Sequence, residues 1–155
     1  MKFYPFLSSV FLLLLLQSTH AVAKDKKVTW PKIWMVDVTR TGDFCYNRRS
    51  DVRLWRSATK TPQTLLITDR KTKRKIRLRW SSKQGVQTWP HKKMPLKSGH
   101  VYLIQSGKRI STLTVNKIPN KLHTYKAISA WIEKQGCNHQ VNILQGMKNP
   151  IQAFK

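Results

Sequence analysis

Carboxylates are scarce in this sequence. Among its 155 residues only six are acidic: Asp25, Asp37, Asp43, Asp51, Asp69 and Glu133. No pair of them has a spacing that forces two carboxylates onto one face, so paired-carboxylate acid–base chemistry has no signature here. Cysteine is scarcer still. Cys45 and Cys137 stand alone, without a Cys-x-x-Cys, and the five histidines (His20, His91, His100, His123, His139) are scattered without a His-x-His. Local zinc-site spacing is therefore absent, and no metal or cofactor is expected. There is no Gly-x-Ser-x-Gly elbow and no phosphate-cradling glycine loop. Neither an RNA-recognition signature, zinc-finger spacing nor a Gly-x-x-Gly clamp occurs, so no specific nucleic-acid partner is expected. Beyond the N-terminus no apolar run approaches the roughly 20 residues that a membrane span requires.

The N-terminus reads as an export signal over residues 1–23. Lys2 gives a short positive region, "FLSSVFLLLLLQ" the apolar stretch, and Ala21 and Ala23 the small-x-small pattern of a cleavage site. The run Val10 to Leu16 is too short to anchor the chain, and no cysteine follows it for lipidation. Cleavage after Ala23 leaves about 130 residues, enough for one domain with one core. A periplasmic or secreted location follows. Export also favours an oxidised cysteine pair over two buried thiols. A Cys45–Cys137 bridge would close a loop of roughly 90 residues, for which loop-closure entropy gives about 4–5 kcal/mol.

What the sequence has in excess is positive charge: 30 Lys and Arg, for a net +24. Such a field draws in polyanions and weakens with salt. The charge peaks in "DRKTKRKIRLRW", residues 69 to 80, where seven of twelve positions are Lys or Arg. Ile76, Leu78 and Trp80 alternate there with Lys75, Arg77 and Arg79, the pattern of a half-buried antiparallel strand. If the chain is extended throughout, Lys71, Lys73, Lys75, Arg77 and Arg79 form one row with about 6.6 Å between neighbours. The plain alternative is the wet face of an ordinary strand.

Strands are also expected at "KIWMVDVT" (32–39), with Trp34, Val36 and Val38 on one face, and at "VRLWR" (52–56). "RTGDFCYNRRSD" between them reads as a polar loop holding Cys45, and "SSKQGVQ" as another loop. "QTLLITD" leads into the charged turn. Trp89-Pro90 and Pro95 suggest a rigid extended connection. "HVYLIQ" and "KRISTLTVN" read as a hairpin around Ser106-Gly107. After Pro119 the period becomes helical. Tyr125, Ile128, Trp131 and Ile132 share a face, with Thr124 as cap and Gly136 just past the end. "NHQVNILQGM" reads as a second short helix capped by Asn138, with Val141 and Leu144 on one face. The domain plan is then a β-sandwich over 24–118, a helical segment over 119–147 packed on it, and a tail over 148–155.

Trp55, Trp80, Trp89 and Tyr102 are the aromatics that could interleave with the basic row, although Trp80 has core parity and Trp131 belongs to the helix core. A small basic nuclease would draw on His91, His100 or His123. Two stretches, "VRLWRSATKTPQTLLI … WPHKKMPLKSGHVYLI" and "AISAWIEKQGCNHQVNILQG", together resemble exported bacterial small β-sandwich proteins of unknown function, over roughly residues 52 to 146. That resemblance implies an envelope protein with an immunoglobulin-like sandwich and a helical end. It implies no catalytic residues, and the high charge of this chain departs from it.

The expected fold is thus α+β: an antiparallel immunoglobulin-like sandwich of six or seven strands followed by one or two helices. The expected function is a non-enzymatic envelope protein. Its basic strand face (Lys71, Lys73, Lys75, Arg77, Arg79) would bind an anionic polymer or lipid surface, and a Cys45–Cys137 disulfide would hold the fold. The alternatives are an accessory subunit that binds a protein partner and a small basic nuclease or hydrolase.

Overall fold

A computed structural model describes residues 33–147. The expected export signal, its expected cleavage after Ala23 and the expected 148–155 tail lie outside the described residues.

The chain forms strands β1 (Met35–Asp37), β2 (Gly42–Tyr46), β3 (Arg53–Trp55), β4 (Gln63–Asp69), β5 (Lys75–Trp80), β6 (Val86–Thr88), β7 (Val101–Ser106) and β8 (Arg109–Lys117), then helices α1 (Tyr125–Lys134) and α2 (Asn138–Gln145). The strands make two sheets, one ordered β1-β3-β6 and one ordered β2-β8-β7-β4-β5. Their inward residues share one core: Val36 and Leu54 from the smaller sheet, with Val52 just before β3, meet Leu65, Ile67, Tyr102, Ile104 and Val115 from the larger. Each such aliphatic side chain contributes about 1.5–3 kcal/mol by leaving water. The buried Ser111 hydroxyl crosses between sheets, donating to the Val38 carbonyl at 2.8 Å. Trp89 closes one side, edge-on to Tyr102 at 5.3 Å, with its indole N–H on the Met94 carbonyl.

The α+β class and the helical end are as the sequence reads, but several expectations are corrected. The sheets are mixed: β1 pairs with β3 and β2 with β8 in parallel. Tight hairpins force antiparallel neighbours, as in β4–β5 and β7–β8, whereas strands far apart in sequence are free of that constraint. The strands number eight among the described residues. The region read as a polar loop around Cys45 contains β2. Phe44 and Tyr46 enter the sandwich core while Cys45 faces a second cluster with Ile118, Ile128, Ile132, Cys137 and Leu144. A strand buried on both faces has no polar alternation to reveal it. Part of the expected 81–87 loop pairs as β6 with β3. The β7–β8 turn is Gly107-Lys108, one residue later than Ser106-Gly107, with Gly107 taking the required positive φ of 60°. The proline-marked connection is a turn, with the Met94 amide on the Pro90 carbonyl at 2.8 Å. Trp34 is half-buried against the helical cluster instead of joining Val36 in the sandwich.

Thr124 caps α1 by accepting from the Ala127 amide. Cys137, not Asn138, occupies the cap position of α2, and its side chain makes no cap bond because it is in the disulfide. That bridge joins Cys45 to Cys137 across 92 positions, with 6.0 Å between Cα atoms. Beside it Gln140, 1% exposed, accepts from the Cys45 amide and donates to the carbonyls of Ile33 and Cys45. The helical end is therefore stapled to β2 by one covalent bond and one buried amide. No helix among the described residues is long and apolar enough to cross a membrane.

Candidate functional site

The charge-dense segment is the β4–β5 hairpin, and β5 is an edge strand of the larger sheet. The period-two reading holds from Lys75 onward. Ile76 and Leu78 pack on the core, Trp80 is 1% exposed, and Lys75, Arg77 and Arg79 are exposed on the opposite side. Lys71 and Lys73 are exposed too, but they sit in the turn, where Lys73 has a φ of 61°. The five residues therefore do not form one extended row. They form a three-residue strand face continued by a cationic turn, to which Arg70 and Arg74 add their exposed side chains.

One buried carboxylate organises that turn. Asp69, 3% exposed, accepts through Oδ1 from the amides of Lys71 (2.9 Å) and Thr72 (3.4 Å). Its Oδ2 lies 2.9 Å from His100 Nδ1. Its own backbone closes the loop, donating to the Arg74 carbonyl and accepting from the Lys73 amide. Arg70 is tied to β7 through the Val101 carbonyl. Burial pulls the Asp69 pKa upward, but the hydrogen bonds from His100, Thr72 and the Lys71 and Thr72 amides prevail and hold it below the usual carboxylate range. The only acid in the hairpin is thus fully engaged below the surface, and it neutralises none of the seven cations above it. Neighbouring charges on β5 are about 6.6 Å apart, inside a Debye length of about 8 Å at physiological salt, so they act on a ligand together. A hollow of about 320 Å³ lined by Arg70, Lys71, Lys73, Gly99 and Val101 lies against the turn.

Aromatic interleaving does not accompany the charge. Trp80, Trp89 and Tyr102 are core residues, and burial pushes the Tyr102 hydroxyl pKa up to about 12. The candidate nuclease histidines are not brought together by any described hydrogen bond or ion pair. His100 is committed to Asp69, and His123 is exposed ahead of α1. His91 is half-buried without a ring partner, and burial, with the charges of Arg53 and Arg49, lowers its pKa.

Sequence reasoning missed one polar cluster. Asp37 pairs with Arg40 at 3.2 Å, and Arg40 Nη1 lies 3.4 Å from His139 Nδ1, 99 positions away. These residues, with Asp43, line a groove of about 340 Å³ at the start of α2. Burial first, then Arg40, lowers the His139 pKa. No local spacing signals a meeting over such a separation. Among the described residues no group of three or more His, Cys, Asp or Glu side chains is placed to hold a metal ion. Compared with protein-family models, curated proteins and solved structures, the chain matches none of them.

Proposed function

We propose that this is an exported, non-enzymatic envelope protein that holds anionic polymers or lipid headgroups on the β4–β5 hairpin. The observation that carries the reading is the arrangement around Asp69: seven cations stand on one turn and edge strand whose single acid is buried and already bonded. The disulfide supports export, because such bonds persist outside reducing compartments. A charged edge also resists the addition of a partner strand, which favours a polyanion over a protein partner at this edge. The resemblance to exported bacterial sandwich proteins belongs to the same reading. The two-sheet core supports an immunoglobulin-like relation, and the parallel pairs depart from it.

The test is retention on heparin and on vesicles containing anionic lipid, across a salt gradient. It compares the wild type with a variant carrying Lys71→Gln, Lys73→Gln, Lys75→Gln, Arg77→Gln and Arg79→Gln. The wild type is expected to elute at much higher salt, and the variant to lose most of that difference, because each phosphate or sulfate contact adds to the salt slope. Co-elution of the two proteins would sink the hairpin as the binding site.

A further inference from the structure

At the other end of β4 the charge arrangement is reversed. Arg56 follows β3 directly and shares the inward parity of Val52 and Leu54; it is 3% exposed. Its Nη1 donates to Thr59 Oγ1 (2.9 Å) and Gln63 Oε1 (2.8 Å), and its Nη2 to the Ser81 carbonyl (2.9 Å). The guanidinium lies 4.9 Å over the Trp80 ring. Its Nε is buried with no partner. Every one of these partners is neutral, and neither ion pair found among the described residues includes Arg56. Gln63 Oε1 is already shared with the Ser106 hydroxyl. A cation taken out of water without a counter-charge is costly, and an aromatic face offsets only part of that cost. Burial lowers the Arg56 pKa, yet a guanidinium stays charged at any physiological pH.

Beside Arg56 a cleft of about 470 Å³ opens between the end of β3 and the β7–β8 turn. Its walls include Trp55, Ser57, Thr59, Lys108 and Arg109, and no acidic residue lines it. That volume suits a small molecule. The seven residues of β4 set this cleft about 20 Å from the hairpin turn, so the two sites are separate.

We infer that the cleft binds an acidic sugar, a uronic acid or a sugar phosphate. The anionic group supplies the counter-charge that Arg56 lacks, and the rim cations Lys108 and Arg109 hold its oxygens. The Ser57 hydroxyl meets the sugar hydroxyls, and the ring lies against Trp55. The inference stands without the hairpin reading, since it uses none of the hairpin residues.

Calorimetric titration of the protein at fixed ionic strength tests it, with glucuronate, glucose 6-phosphate and glucose as probes. At least one acidic sugar is expected to bind and glucose is not; which acid binds separates carboxylate from phosphate recognition. Lys108→Gln with Arg109→Gln, at exposed positions that leave the core intact, should weaken binding about tenfold or more. Arg56→Lys should weaken it further. The five-fold hairpin variant should bind as the wild type does. The inference is overturned if no acidic sugar binds, if glucose binds equally, if the rim variant is unchanged, or if the hairpin variant loses the binding.

Discussion

The two ends of β4 each bury a charge, and they treat it oppositely. Asp69 receives two backbone amides and the His100 ring; Arg56 receives only neutral acceptors and a tryptophan face. A compensated buried charge is structural. It fixes the backbone of a turn and lets the side chains of that turn carry the surface chemistry. A buried charge left uncompensated is held at a cost to the fold, and a neighbouring cleft is where a ligand relieves it. The contrast separates a scaffold for a diffuse, salt-sensitive surface from a site for one defined anion.

Four changes break or sharpen the contrast. The largest effect lies away from both ends. Replacing Cys45 and Cys137 by Ala should cost about 4 kcal/mol in denaturant unfolding, with protection lost first in α1 and α2. If the Lys71 and Thr72 amides exchange just as early, the turn is not organised locally by Asp69. Asp69→Ala comes next, at about 3 kcal/mol, because it strands His100 and two amides; hydrogen exchange at Lys71 and Thr72 should rise sharply. Arg56→Met is expected to cost less, about 1 kcal/mol, since it exchanges an uncompensated cation for an apolar side chain of similar length. A larger loss than that of Asp69→Ala would contradict the contrast. Neutralising the five hairpin cations should move stability least, within about 0.5 kcal/mol, while heparin retention falls.

Acid should also distinguish the ends. The native Asp69 pKa is lowered, so the unfolded chain binds its proton first as pH falls. The Asp69 contribution is complete above the unfolded value of about 3.9 and is lost as pH drops through the native one. Arg56 stays charged across that window. In wild-type melts an earlier loss, beginning as pH falls below about 6.5, is expected from His91 and His139, whose native pKa values are also lowered. Arg56→Met should leave the acid profile unchanged, and Asp69→Ala should flatten its lowest part.

Legibility followed burial. The β4–β5 pair was readable because one face is wet and one dry, so Ile76 and Leu78 alternate with Arg77 and Arg79. Strand β2 was not, because Phe44 and Cys45 are buried toward different neighbours and both faces are dry. Lys71 and Lys73 looked like members of the strand row because a positive φ at Lys73 leaves no trace in a segment dense in Lys and Arg. Arg56 did carry a signal, its parity with Val52 and Leu54, which a reading tuned to exposed charge passes over. The Asp69–His100 contact spans 31 positions and the Arg40–His139 contact 99, and no periodicity reports on such distances.

By itself the sequence determined the class of the fold, the apolar side of the basic strand, the α1 boundaries and the excess of cations over acids, since these depend on local period and composition. Tertiary structure alone decided that β2 joins β8 in parallel, that the hairpin's one acid faces inward, and that Arg56 is buried beside a cleft without a counter-ion. The reason is physical. A side chain's charge is written in the sequence, but whether that charge is compensated depends on which distant segments fold against it.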